Sequence, residues 1–375
     1  MSSAVLVAAR RTPIGTAGRA LADRTVDALA APVLAEVARL VAPAAVPIDD
    51  VVLGNCMGPG GDLARVAALR AGLGDEVPGV TVDRQCGSGL DAVLQAASRV
   101  RAGDARLVLA GGAESASTAP HRSWPDGTRF TRAPFAPPGF PDPDMGPAAE
   151  RLAAVRGISR ARQDAWAARS HARAVAAQAA GRFADELVAL DGVTADERPS
   201  ARIGPAVLAR FAPAFTAEAR GTVTAGNSCG FSDGAAAMAV TTPELAGELG
   251  LPALRVRAAA VAAGDPALPG LGAAYAARLA LDRAGLAVPE LGAVEITEAF
   301  AAQLLAVSDE LGLDEDEISG DGGAIALGHP WGASGAVLLV RLAARLFAGD
   351  DDRPALAACS IGGGQGVAMV VERIA

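Results

Sequence analysis

Two stretches of this chain repeat one another in outline, and that limits the folds open to it more than any other feature. "CGSGLDAVLQAASRVRAGD" runs from Cys86 to Asp104, and "GASGAVLLVRLAARLFAGD" runs from Gly332 to Asp350. In each, a turn of small residues closes on a glycine, Gly89 or Gly335, and thirteen positions later comes the alanine of an Ala-Gly-Asp stop, Ala102 or Ala348. Each stop leads into an apolar strand ending in glycines, "LVLAGG" in the first copy and "ALAACSIGGG" in the second. Upstream, "IDDVVLGN" answers "LGAVEITE". An ordered series of matches points to duplication. Apolar β-branched runs alternate with alanine-rich helical stretches, so the repeated unit is α/β with buried strands. Two such halves are expected to pack about a pseudo-twofold axis, with their strand-to-helix turns facing each other.

That symmetry gives Cys86 a context. "VDRQCGSGLDA" puts the thiol at a helix start, where unpaired N–H groups and the positive end of the helix dipole favour thiolate. The competing reading is of a small, buried residue. The counterpart turn, "HPWGASG", carries His329, so the repeat predicts that Cys86 and His329 meet across the axis. Thiol and imidazole together are the minimum for an activated cysteine nucleophile. Three glycine-rich turns, "CGSG", "GHPWGASG" and "SIGGGQG", are expected around that point. Glycines let a substrate approach the backbone and free N–H donors for an oxyanion. For any one turn, tight packing is the alternative.

Composition removes several function classes. The 375 residues carry a net charge of −9, which does not suit a nucleic-acid partner. Every basic side chain is arginine, and without lysine neither Schiff-base chemistry nor a P-loop is available. Cys56, Cys86, Cys229 and Cys359 lie far apart with no CxxC pair. That pattern argues against a disulfide framework or a metal site and for a reducing, cytoplasmic setting. No uncharged apolar run is long enough to span a membrane, and "MSSAVLVAARRTP" lacks the layout of a secretory signal. His171 lies in a helical stretch rich in alanine and arginine and is expected on the surface.

The chain resembles the thiolase family of acyl-CoA acyltransferases over almost its whole length. The resemblance rests on "VAARRTPIG", "DRQCGSGLDA", "LAGGAES", "GISRARQDAWAARSHARA", "GTVTAGN", "DGAAAM", "EAFAAQ", "GGAIALGHPWGASG" and "IGGGQGVAM". It implies an α/β thiolase fold, two duplicated halves stacked as α-β-α-β-α layers. The N-terminal half would cover residues 1–245, with a loop domain inserted at about 117–225, and the C-terminal half residues 252–375. The proline-rich "RAPFAPPGFPDPDMGP" would be an extended covering segment within the insertion. By the same resemblance Cys86 accepts the acyl group and His329 activates it. The backbone N–H groups of Cys86 and Gly362 form an oxyanion hole. The substrate is a coenzyme A thioester, no further cofactor is implied, and the assembly is a homodimer or homotetramer. An acyl-carrier protein as donor stays open.

Departures from the family pattern gather at the site. Thr297 stands where an asparagine usually holds a water, and Ser360 where a cysteine usually serves as base. Cys359 comes one residue early, and strand alternation turns it to the face opposite Ser360. In the substrate-binding segments, Ala212 replaces a basic residue with Arg210 two positions before it, Cys229 replaces a serine, and Asp144 replaces the histidine before Met145. A thiol can act as a base near neutral pH where a hydroxyl cannot. These departures predict an acyltransferase that forms an acyl–Cys86 thioester and passes it to an acceptor, carbon among them, in biosynthesis. One alternative is an ordinary acetyl-CoA acetyltransferase or 3-ketoacyl-CoA thiolase with Ser360 acting through a water. Another is a low-activity subunit of a multienzyme complex.

Overall fold

A computed structural model describes residues 3–217 and 220–374 of the chain. The first half lays down β1 (Val5–Arg11), α1 (Val26–Val41), β2 (Asp50–Gly54), α2 (Leu63–Arg70), β3 (Gly79–Val82), α3 (Ser88–Ala102) and β4 (Leu107–Ser115). An excursion carrying α4 (Met145–Arg156) and α5 (Arg160–Ala179) precedes β5 (Ser232–Thr241). The second half supplies β6 (Ala253–Ala263), α6 (Gly272–Ala284), β7 (Ala293–Ile296), α7 (Ala301–Leu311), α8 (Trp331–Ala348), β8 (Ala355–Ile361) and β9 (Gln365–Ile374).

The strand pairings carry the duplication. In the first half β2 runs parallel to β4, β4 antiparallel to β5, and β5 antiparallel to β1. The second half repeats this with β7 parallel to β8, β8 antiparallel to β9, and β9 antiparallel to β6. β3, parallel to β2 at the outer edge, has no counterpart strand in the second half. The halves join where β1 meets β6, through Val5↔Arg255 and Leu6↔Leu254.

Side-chain alternation sorts the strands into five layers. Val51, Leu53, Leu107 and Leu109 pack outward against α1 and α2, while Val52, Val108 and Ala110 turn inward to a central core shared with α3 and α8. In the second half, Leu356 and Ala358 face α6 and α7, while Ala355, Ala357, Cys359 and Ile361 face the same central core. α8 is buried over most of its length, and its sequence is correspondingly apolar. It is the one described helix long and apolar enough to cross a membrane, yet here it is the middle layer of the core.

The repeated glycines explain how the middle layer closes. A Cβ on Gly335 would stand 2.5 Å from Leu90 N, and one on Gly89 would stand 2.8 Å from Gly332 O. Equivalent glycines of the two copies therefore let α3 and α8 pack backbone to backbone. Gly112 does the same for β4, where a Cβ would lie 2.0 Å from Gly332 O. The excursion returns onto the opposite half: Leu152, Trp166 and Ala167 share a core with α6 and α7. That packing corrects the expectation for His171, which is buried, accepts a hydrogen bond from Ser200 N at 3.3 Å, and is held down to a pKa of about 4 by burial and by nearby Arg198.

Candidate active site

Cys86 lies in the turn between β3 and α3. Gln85, just before it, adopts φ +48°, a left-handed conformation costly for a residue with a side chain. Ser88 braces the turn, accepting from Arg84 N at 2.8 Å and donating to Gln85 O at 2.6 Å. The half-buried thiol does not behave as the helix start alone suggests. Burial pushes its pKa well above the ordinary value, and charge on Cys229 and Cys359 would push it further, against a weaker opposing pull from its own backbone N–H. Desolvation outweighs the helix start. Cys86 rests as a thiol, with Cys229 and Cys359 near enough to feel its charge.

His329 is buried just ahead of α8, its N–H donating to Ser232 Oγ at 3.1 Å. Its Nδ1 lies 2.6 Å from Ser334 Oγ. The Ser334 hydroxyl spends its one proton on Pro330 O at 3.0 Å, so Nδ1 is the protonated nitrogen and donates to Ser334. That leaves Nε2 as a bare lone pair, buried and without a hydrogen-bond partner among the described residues. Burial holds the ring's pKa down to about 3, so the imidazole is neutral. A neutral imidazole with an unused Nε2 is a proton acceptor in waiting. Ser334, which fixes that tautomer, was not singled out from the sequence, although its spacing of five from His329 was visible.

Ser360 lies on the face of β8 opposite Cys359, as strand alternation requires. Its hydroxyl donates to Gly270 O at 2.7 Å and accepts from Ala273 N at 3.1 Å and Gln303 Nε2 at 3.4 Å. Those partners belong to the start of α6 and to α7, so Ser360 is turned to the outer layer, away from the core that holds α3. Cys359 faces that core instead, beside Ile361, whose Cδ1 would lie 2.4 Å from a Cβ on Gly87. The register from Ala355↔Val371 to Ile361↔Gln365 is unbroken, so β8 carries no bulge there. Thr297 follows β7, anchored by its N–H on Ala358 O at 3.1 Å, and its Oγ1 lies 3.1 Å from Cys359 Sγ.

Around these groups the second half and the excursion supply walls. Gly362 is roofed by Phe135 of the proline-rich segment, whose ring would lie 2.5 Å from a Cβ there. Arg132 holds that segment through Asp142 at 3.0 Å and Asp144 at 2.8 Å, and its guanidinium sits 4.6 Å from the Phe135 ring centroid. Cys229 donates its N–H to Ala299 O at 3.0 Å, and burial pushes its thiol up to about 12. Half-buried Met145 opens α4, and Gly146 after it leaves room for the Phe215 ring. Arg210 and Ala212 are exposed. Two buried carboxyls tie the site together. Glu114 accepts from Gly332 N, Cys56 N, Met57 N and Asn55 Nδ2, and Glu298 accepts from Trp166 Nε1, Ser170 Oγ and Ile325 N. Burial raises both to about 7. Among the described residues, no three His, Cys, Asp or Glu side chains gather as a metal site.

A cysteine at one helix start, a histidine at its repeat equivalent, and a two-half α/β fold define an acyltransferase of the thiolase type. The chain belongs to the thiolase family: the thiolase N-terminal domain matches residues 4–244 and the C-terminal domain residues 251–373. It is 42% identical over 375 residues to a putative acetyl-CoA C-acetyltransferase, YhfS, of Bacillus subtilis, covering 100% of both chains. It is 40% identical to an acetyl-CoA acetyltransferase of Pseudomonas aeruginosa, again over 100% of each. The crystal structure of the Bacillus anthracis acetyl-CoA acetyltransferase superposes with a TM-score of 0.92 at 36% identity, covering 100% of this chain and 99% of that one.

Proposed function

We propose that this protein transfers acyl groups between coenzyme A thioesters and carbon through an acyl–Cys86 intermediate, as an acetyl-CoA C-acetyltransferase does. The observation that carries this reading over base-free acyl transfer is the direction of Cys359. With that thiol on the core face of β8 and close enough to Cys86 to raise its pKa, Cys359 is the candidate proton acceptor in place of Ser360. In the condensing direction, His329 Nε2 takes the Cys86 proton as the sulfur attacks the thioester carbonyl. The carbon–sulfur bond to coenzyme A breaks, and Cys359 gives its proton to the departing sulfur. Cys359, now a thiolate, removes the α-proton of a second thioester. The resulting carbanion attacks acyl–Cys86, and Cys86 leaves and recovers its proton from His329. The names of the relatives support coenzyme A as the carrier.

Replacement of each candidate base tests the reading. Cys359→Ala should lower acetoacetyl-CoA thiolysis by about 10²–10⁴-fold, the usual worth of a general base. Ser360→Ala should leave thiolysis within a few-fold. Robust thiolysis by Cys359→Ala would remove Cys359 as the base, loss of thiolysis in a folded Ser360→Ala would return that role to Ser360, and an unmodified protein that acylates Cys86 without thiolysis would restore base-free transfer.

A further inference from the structure

Thr297 and Cys359 depart from the family pattern at neighbouring points, and the fold puts the two departures side by side. Thr297 Oγ1 and Cys359 Sγ are 3.1 Å apart, both buried, and neither side chain has another hydrogen-bond partner among the described residues. The contact is fixed from both sides. Thr297 cannot slide along β8, because its N–H is held by Ala358 O at 3.1 Å. Cys359 cannot swing outward, because Ser360 is held by Gly270 and Ala273. A thiol in such apolar company resists ionisation, since nothing replaces the water it has lost.

We propose that Thr297 is a positioning residue for Cys359, its hydroxyl aiming the thiol and donating a hydrogen bond to the sulfur whenever it carries negative charge. The inference rests on the functional reading above, in which Cys359 exchanges a proton with the substrate α-carbon. No covalent bond changes at Thr297. The Cys359 proton leaves for the departing sulfur, the Thr297 O–H turns toward the thiolate, and the α-proton later restores the thiol. Burial pushes Cys359 up to about 12, and the Thr297 hydrogen bond is the one influence that draws it down. Threonine at 297 and cysteine at 359 then form a matched pair.

The test compares Thr297→Val, which keeps the shape and loses the hydroxyl, with Thr297→Ser, which keeps the hydroxyl. Wash-out of deuterium from methyl-deuterated acetyl-CoA reports α-proton transfer, and intact mass reports acetylation of Cys86. Thr297→Val should be acetylated like the unmodified protein yet exchange about 10–100-fold more slowly, the worth of a hydrogen bond to a charged group. The pH dependence of its exchange should move upward, and Thr297→Ser should stay within a few-fold of the unmodified protein. Exchange by Thr297→Val at the unmodified rate and pH profile would overturn the proposal. So would equal losses in both variants. If the unmodified protein is not acetylated at Cys86, the functional reading fails on its own. The pairing is then judged by peptide-mapped methanethiosulfonate labelling of Cys359, which Thr297→Val should slow about tenfold or more and Thr297→Ser should not.

Discussion

The resting protonation state of Cys86 and His329 can be measured without any substrate. An ordinary cysteine is about one-tenth ionised at pH 7.5. Cys86 is pushed well above that by burial and then by possible charge on Cys229 and Cys359. His329, held down to about 3, is uncharged and cannot supply an imidazolium to hold a thiolate. Each pKa unit removes about ten-fold of the thiolate, and burial of a charged group is worth up to about 3–5 units, enough to leave far less than about 1% ionised at that pH. Iodoacetamide should therefore label Cys86 at least about 10²-fold more slowly than free cysteine, with a rate that climbs tenfold per pH unit through pH 9. His329→Ala should barely change this resting rate. The same variant should slow acylation by a thioester by about 10²–10⁴-fold, because Nε2 is needed only as the sulfur attacks. Peptide-mapped alkylation between pH 6 and 9 gives both answers. A plateau with its midpoint below pH 7, or a large drop in alkylation on His329→Ala, would show a preformed thiolate–imidazolium pair and refute the reasoning.

The remaining expectations concern stability. Gly335→Ala places a methyl 2.5 Å from Leu90 N and 2.6 Å from Leu90 Cβ, so α3 and α8 must separate at a cost of about 1–3 kcal/mol in urea unfolding. Gly247→Ala, in a helix and with nothing within 4 Å of the new methyl, should be neutral or slightly stabilising, so equal behaviour of the two variants would contradict the tight crossing. Burial lowers the folded-state pKa of His171 from 6.5 to about 4, so the unfolded chain takes up a proton the folded one refuses as pH falls between those values. Stability should drop across that window. His171→Gln should make the drop shallower, and a slope unchanged by the substitution would show that His171 is not held neutral.

Much of the architecture was legible because backbone contact dictates it. Gly89 and Gly335 recur at the same place in each copy since no side chain fits where α3 and α8 touch. The same crossing sets the turn before α8 against the turn before α3, as the spacing predicts. What resisted reading depended on partners distant in sequence. The local environment of Cys86 favours thiolate, but whether burial overrides it is decided by elements as remote as β8. His171 looked like surface because the groups beside it, Arg198 and Ser200, lie in irregular chain after α5 with no pattern to place them. Which of Ser360 and Cys359 faces the central core had a subtler cause. Counting back from "IGGG" assumes that every family member enters that turn in the same strand phase. Here the hydrogen bonds of Ser360 to Gly270 and Ala273 and the pairing of Cys359 with Val367 set the phase instead.

Acylation of Cys86 is the step on which every other inference depends, and mass spectrometry reads it directly. After brief incubation with acetyl-CoA and an acid quench, the intact protein should gain one acetyl group, mapping to the peptide that holds Cys86 and absent from Cys86→Ala. Acetyl label on Cys56, Cys229 or Cys359 that persists in Cys86→Ala, or no label from acetyl-CoA or longer acyl-CoAs, would contradict the assignment of Cys86 as the nucleophile.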